Sequence, residues 1–259
     1  MPAVTLDLWH TLIYLPPEDE EAYMAHQIAL GTEVLHRSAR VPGSPARTDD
    51  ELRQAFERAY AEAVEASARG VSVTPAEQLV RAARATGRAA NPDDYLNLLK
   101  EEVARTPFRT APGAVELLRD LRARGLRVGV ISNTVGEPGE YLRPTLSRIG
   151  FDRFVESYVF SDQQPWTKPS PEIFRYALST LHETPENAVH VGDGWADLEG
   201  ARRAGYRGAV LFTGLHEYGE KYLRLFLSGS PPASAETLRT DRLERVLPLV
   251  EDLLAPRKG

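Results

Sequence analysis

The sequence predicts an α/β protein: a parallel, Rossmann-like sheet with an all-helical segment inserted after its first strand. Two observations predict it. A short apolar run ends at Asp7 and is followed, from Glu18 to about Thr106, by a region in which nothing reads as a strand. From Phe108 onward, apolar runs of strand length alternate with stretches of helical period. That alternation implies right-handed crossovers and parallel pairing.

Val4-Thr5-Leu6 is the first strand, with Asp7 at its C-terminal lip. Open α/β sheets place ligands at that edge. Leu12 to Leu15 leads to a break at Pro16-Pro17. The region that follows is rich in Ala, Glu and Arg, all strong helix formers. Met24, Ile28 and Leu35 share one face of a first helix; Leu52, Phe56, Ala59, Tyr60, Ala63 and Val64 keep the 3.6-residue period in a second. Thr74-Pro75-Ala76-Glu77 reads as a capping box with proline at the first helical position, opening a third helix. Asn91-Pro92 opens a fourth, with Tyr95, Leu98, Leu99 and Val103 inward. The division predicted is a core of residues 1–14 and 108–259 and a helical insert of residues 15–107, with the two linkers, near 15–17 and 106–112, as hinges.

In the second half, Pro112-Gly113 opens a helix that Gly125 ends. Leu126 to Ile131 is a strand stopping at Ser132-Asn133. A helix over 141–149, a short strand at Tyr158-Val159-Phe160 and a helix capped by Ser170-Pro171-Glu172 follow. Ala188 to Val191 is a strand stopping at Gly192-Asp193, and Arg207 to Phe212 is another. Near the C-terminus, 228–235 reads as a Gly/Ser/Pro loop. The apolar stripe from Leu243 to Leu254 reads as a helix that Pro248 bends or delays.

The chain has 259 residues, which suits a core carrying an inserted second domain. Its net charge of −6 lacks the basic footprint of a nucleic-acid binder and leaves small-molecule substrates open. With no cysteine, disulfides and thiolate metal sites are excluded. No apolar stretch reaches the about 18 residues of a membrane span, and no leader pattern precedes the first strand. The expectation is a cytoplasmic protein with a small-molecule substrate, no nucleic-acid partner and no membrane association.

Three strands end in a polar residue, at Asp7, Ser132 and Asp193, and a parallel sheet brings all three to one edge. Asp197 follows Asp193 by four, so a tight turn lets both face the same way. Each residue alone has a plainer reading as a cap or turn residue, and Lys168 as a solvated lysine before a proline. Together they describe a crevice. Three converging carboxylates repel unless compensated. Oxygen ligands without His or Cys favour magnesium, which also binds substrate phosphate. Lys168 adds positive charge, Ser132 a hydroxyl, and Asn133 an amide for anionic oxygens.

Four stretches carry a resemblance: Asp7-Leu8-Trp9-His10-Thr11; Ile131-Ser132-Asn133; Lys168-Pro169; and Val191-Gly192-Asp193-Gly194-Trp195-Ala196-Asp197. In this order and with this last spacing, the chain resembles the haloacid dehalogenase superfamily of hydrolases, with the insert resembling that family's helical cap. The resemblance implies that Asp7 is a nucleophile forming an aspartyl-phosphate. It implies that Asp7, the Trp9 carbonyl and Asp193 hold Mg2+, with Asp197 supporting them. Ser132 and Lys168 would bind the transferring group, and Asn133 and Thr11 the substrate.

One residue departs from the family pattern. Its phosphatases carry a second aspartate two positions after the nucleophile, as general acid and base; here that position is Trp9. General acid–base catalysis is typically worth about 10²–10⁴-fold. Three readings therefore stay open. The first is a phosphatase of a small phosphorylated metabolite with an undemanding leaving group. The second is a dehalogenase, whose relatives carry an aromatic residue there and whose halide needs no proton. The third is a non-catalytic binding relative. His10 is a substitute acid only if it faces Asp7, and backbone alternation predicts that it points away. Tyr14, Tyr23, His26 and Arg37 are candidates for the substrate pocket.

Overall fold

A computed structural model describes residues 1–215 and 237–256. Six strands form one parallel sheet: β1 (Ala3–Leu6), β6 (Arg127–Ser132), β7 (Ser157–Phe160), β8 (Ala188–Gly192), β9 (Gly208–Phe212) and β10 (Thr237–Thr240). Their order is β10-β9-β8-β1-β6-β7, so the first strand is central, flanked by β6 and β8. Five of the six were predicted. The sixth, β10, was not, because a strand at the rim with one aliphatic side chain, Leu238, has no apolar signature.

Strand periodicity distributes the side chains between two layers. Val4 and Leu6 of β1 and Val128 and Val130 of β6 enter one core with α5 (Ala114–Ala123), α6 (Gly139–Ile149) and α9 (Val246–Leu254). Ile131 of β6 and Val159 of β7 pack on the opposite face against α7 (Pro171–Thr180) and α8 (Trp195–Ala204). The helix of the C-terminal stripe starts late, as predicted: a 3-10 turn covers Leu243–Arg245, and Pro248 falls in the first α-turn, where its missing N–H costs nothing. The loop predicted at 228–235 lies outside the described residues.

Between β1 and β6 stand four helices, α1 (Pro17–Arg37), α2 (Asp49–Ala68), α3 (Pro75–Thr86) and α4 (Pro92–Arg105). They enclose a core of their own around Leu35, Phe56, Leu79, Tyr95 and Leu99, all fully buried. Phe56 and Tyr95 meet edge-on at 5.2 Å. The predicted capping box holds: the Thr74 hydroxyl accepts from Glu77 N–H at 3.2 Å, and the Glu77 carboxylate accepts from Thr74 N–H at 2.8 Å. A second box at Thr48 and Glu51 opens α2. The region is not free of strand, contrary to expectation: β3 (Ala39–Arg40) pairs with β4 (Arg88–Ala89), two residues each, too short to register as alternation. Ser170 precedes α7, yet its hydroxyl bonds Glu172 rather than capping the helix backbone.

The chain enters and leaves this helical segment through one antiparallel ribbon. In it, β2 (Ile13–Tyr14) pairs with β5 (Arg109–Thr110). The Leu12 carbonyl accepts from Ala111 N–H at 2.9 Å, extending the ribbon toward the sheet. The helices also touch the sheet side around residues 66–72. Ser72 Oγ donates to the Ser161 carbonyl at 2.6 Å, and Thr167 Oγ1 donates to the Ser67 carbonyl at 2.9 Å.

Candidate active site

At the C-terminal edge of β1, β6 and β8 lies a cavity of about 150 Å³, closed on its far side by α1 and α2. Asp7 follows β1 directly, and its N–H donates to the Val191 carbonyl of β8 at 2.8 Å, which fixes it against the neighbouring strand end. Asp193 follows β8, and Asp197 stands at the third position of α8. One oxygen from each of the three carboxylates lies within 4.8 Å of the others. All three residues are buried.

Lys168 reaches into this cluster from the loop before α7. Its Nζ pairs with Asp7 Oδ1 and, at 2.7 Å, with Asp197 Oδ1. The plain reading of Lys168 as solvated fails: the residue is 4% exposed. Asn133 secures it through the backbone. The Asn133 Oδ1 accepts from Lys168 N–H at 2.8 Å, and its Nδ2 donates to the Lys168 carbonyl at 2.9 Å. The amide is thus engaged in holding the lysine loop, although Asn133 also lines the cavity. The Thr11 hydroxyl is buried and directed at Asp7 Oδ2, 3.5 Å away. Ser132 ends β6 fully buried, and among the described residues its hydroxyl has no hydrogen-bond partner. A buried hydroxyl left open in this way suits a ligand oxygen.

Burial dominates the electrostatics. It pushes Asp7 up to about 7; the Lys168 ammonium opposes that, while Asp197 and Asp193 reinforce it. It pushes Asp193 up to about 6, against the pull of His10. Asp197 goes the other way despite its burial. The Lys168 charge and the bond from His190 hold its carboxyl well below the ordinary range. Its Oδ1 takes Lys168 and His190 Nε2 (3.0 Å), and its Oδ2 takes Gly194 N–H (3.1 Å). Gly192 permits this arrangement: a Cβ there would lie 2.3 Å from the Asp197 carboxyl carbon.

His190 was not anticipated. Fully buried in β8, it places Nδ1 2.8 Å from the Thr5 hydroxyl of β1 and Nε2 on Asp197. The sequence did carry a signal, a single polar residue inside an apolar strand. Glu137 was also missed. It follows β6 by five residues, is 5% exposed, and lines the cavity. Its Oε2 accepts from Gln27 Nε2 at 2.9 Å and from the Tyr23 hydroxyl at 3.3 Å, both on α1. Burial pushes its carboxyl up to about 7, with Gln27, Tyr23 and the Trp9 side chain opposing as hydrogen-bond donors. Gly136 makes room for this contact, since a Cβ there would lie 2.3 Å from Gln27 Oε1.

His10 reverses its prediction. It takes a left-handed backbone (φ 56°), which His tolerates better than most residues, and so turns into the cavity instead of away from it. Its Nε2 lies 3.1 Å from Glu20 of α1. Its pKa is raised: burial works against the charged form, and Glu20, Asp193 and Asp7 outweigh it. Trp9 occupies the position of the missing carboxylate, edge-on to Phe108 at 5.4 Å and beside Tyr23 at 6.4 Å. Of the four pocket candidates, Tyr23 lines the cavity. Tyr14 and His26 line separate clefts, and the exposed Arg37 pairs with Glu33.

A family model described as haloacid dehalogenase-like hydrolase matches residues 1–205. The chain is 35% identical over 123 residues to a glyceraldehyde 3-phosphate phosphatase of Pyrococcus furiosus, covering 47% of this chain and 48% of that protein. It is 29% identical over 141 residues to phosphoglycolate phosphatase 1 of Pseudomonas aeruginosa, covering 54% and 47%. The chain thus spans about half the length of the curated relatives it matches. Among solved structures, a phosphatase of the same superfamily from Thermococcus onnurineus superposes with a TM-score of 0.60 over 96% of this chain and 98% of that one, at 18% identity. That similarity shows the shared fold. Among the described residues, no helix is long and apolar enough to cross a membrane.

Proposed function

The chain belongs to the haloacid dehalogenase-like hydrolases, and we propose that within them it is a magnesium-dependent phosphatase acting on a small phosphorylated metabolite. The observation that carries this reading is the buried set of Asp7, Asp193 and Asp197 around the single ammonium of Lys168. A dehalogenase attacking carbon has no use for two further negative charges beside its nucleophile. A phosphatase has, because they hold a cation that neutralises phosphoryl oxygens. The phosphatase names of two relatives support the same reading.

The donor set fits magnesium. The converging ligands are oxygens, and burial raises Asp7 and Asp193 toward their neutral forms, a cost that a divalent cation removes. Asp7, Asp193 and the Trp9 carbonyl would hold it. Asp197, already committed to Lys168, His190 and Gly194, supports from behind. When bound, the ion supplies charge neutralisation for the transferring group.

The chain's own residues do the rest. Asp7 attacks phosphorus, and the bond to the leaving oxygen breaks as the aspartyl-phosphate forms. The Lys168 ammonium and the open Ser132 hydroxyl hold phosphoryl oxygens, and Asn133 and Thr11 keep Lys168 and Asp7 in place. Water then cleaves the acyl phosphate and restores Asp7. Trp9 has no proton to give, so the reaction favours leaving groups that tolerate their charge. Residues 15–107 act as a cap that shields these steps from bulk water. The cavity volume of about 150 Å³ suits a small substrate.

Hydrolysis of an activated aryl phosphate, with magnesium and with excess chelator, tests the reading in the chain and in Asp7→Asn. Turnover that needs both magnesium and Asp7 is the expected result. Metal-independent release of halide from a 2-haloacid, without phosphate release, would overturn it.

A further inference from the structure

Resting on the phosphatase reading, we propose that the chamber outside the carboxylate cluster selects phosphate esters whose leaving group is uncharged or cationic. It rejects those that carry a second anionic group, and Glu137 enforces the choice.

Among the described lining residues the cations are Lys168 and, when protonated, His10. Both are committed: Lys168 to Asp7 and Asp197, His10 to Glu20. The outer wall, where a leaving group would lie, is built from Tyr23, Met24 and Gln27 of α1, Tyr60 of α2, and Val135 and Glu137 of the loop after β6. It contributes aromatic faces, an amide and a carboxyl, and no arginine or lysine.

Glu137 differs from the other acids of the cavity. Asp7, Asp197 and Glu20 each face a basic partner, and Asp193 feels His10 and Lys168. The hydrogen-bonding partners of Glu137 are neutral: the Gln27 amide, the Tyr23 hydroxyl and the Trp9 side chain. A substrate anchored by its phosphoryl group at Asp7 would bring a second carboxylate beside Glu137 with no counter-charge between them. Two carboxylates that close cannot both stay ionised without compensation. Hydroxyl groups, in contrast, find acceptors and donors in Gln27, Tyr23 and Glu137, and an ammonium finds aromatic faces as well.

A matched pair of esters tests this: 2-phosphoglycolate, with a carboxylate, and 2-hydroxyethyl phosphate, with a hydroxymethyl group in its place. The readout is the ratio of kcat/KM values in the full chain with magnesium at about pH 8.5, where a carboxyl pushed up to about 7 is ionised, with phenyl phosphate as reference. The neutral ester is expected to lead by about tenfold or more, chiefly through KM. Glu137→Gln should narrow the gap, and so should Met24→Arg, which puts a cation into the wall and leaves Glu137 in place. Because the ratio is internal to each protein, partial loss of folding does not mimic the effect. Equal or better use of the carboxylate ester by the unmodified chain overturns the inference. So does a ratio that neither substitution moves. If phenyl phosphate is still hydrolysed, the phosphatase reading survives that outcome; if no ester is turned over, both fall together.

Discussion

His190 and Asp197 share a buried hydrogen bond of 3.0 Å. With the 2.8 Å contact from His190 to Thr5, it forms a continuous line from the central strand through β8 to the carboxylate that holds Lys168. His190→Leu cuts that line. By analogy with groups that orient metal-site ligands, activity should fall about 10–100-fold. Stability should drop by about 1–3 kcal/mol, since buried polar atoms lose a partner. Kinetics and urea unfolding of the same preparation check both.

Lys168→Met leaves Asp7 and Asp197 buried without their counter-charge. Breaking a buried pair in this way destabilises by about 3–5 kcal/mol. The loss should be larger in chelator than in magnesium, because a bound cation would take over part of the neutralisation. Unfolding midpoints in the two buffers give the comparison.

Glu137 links folding to pH. Its carboxyl rises from an ordinary value of 4.5 to about 7 in the folded chain through burial. A folded value above the unfolded one means that the folded state holds the proton more tightly. This stabilising contribution is full below about pH 4.5 and is lost as pH rises through 7. A shift of this size corresponds to about 3 kcal/mol. Glu137→Gln should therefore flatten the fall in stability between pH 4.5 and 7 relative to the unmodified chain. Parallel slopes in urea titrations of the two proteins would contradict this.

Trp9→Asp should change the choice of leaving group more than the total rate. An acid at that position assists alkyl esters, which need a proton, more than aryl esters. The alkyl-to-aryl ratio of kcat/KM should rise by about tenfold or more. The variant also gives up the Phe108 and Tyr23 contacts, for an expected cost of about 3 kcal/mol. Paired assays at a temperature where both proteins are folded separate the two effects.

Asp7, Lys168, Asp193 and Asp197 could be found in the sequence because Asp7 and Asp193 follow directly from strand geometry and Asp197 from its spacing of four after Asp193. An apolar run fixes where each strand ends, and parallel pairing brings the ends together. Lys168 needed its place among the other stretches, since one lysine before a proline is uninformative. Glu137 and Gln27 were invisible because their meeting depends on how α1 lies over the loop after β6, a tertiary fact with no local pattern. The direction of His10 was misjudged for a related reason: alternation holds within a strand, and a left-handed residue in the next turn breaks it. The six-stranded sheet was foreseen except for β10, whose single aliphatic residue, Leu238, leaves no apolar run to read.

The ribbon of Ile13–Tyr14 with Arg109–Thr110 makes the whole helical segment, topologically, the tip of one hairpin. The sheet perceives only that two neighbouring threads leave and return at the same place. Whatever is spliced between them can grow, shrink or be exchanged without altering strand order. A tight turn joining Tyr14 to Arg109 would excise the helices without cutting the sheet, at the loss of Ser67, which bonds Thr167 beside Lys168. Chain order therefore makes the helices an insertion, while the wall of the cavity is shared in space between α1 and the loop after β6, where Gln27 meets Glu137.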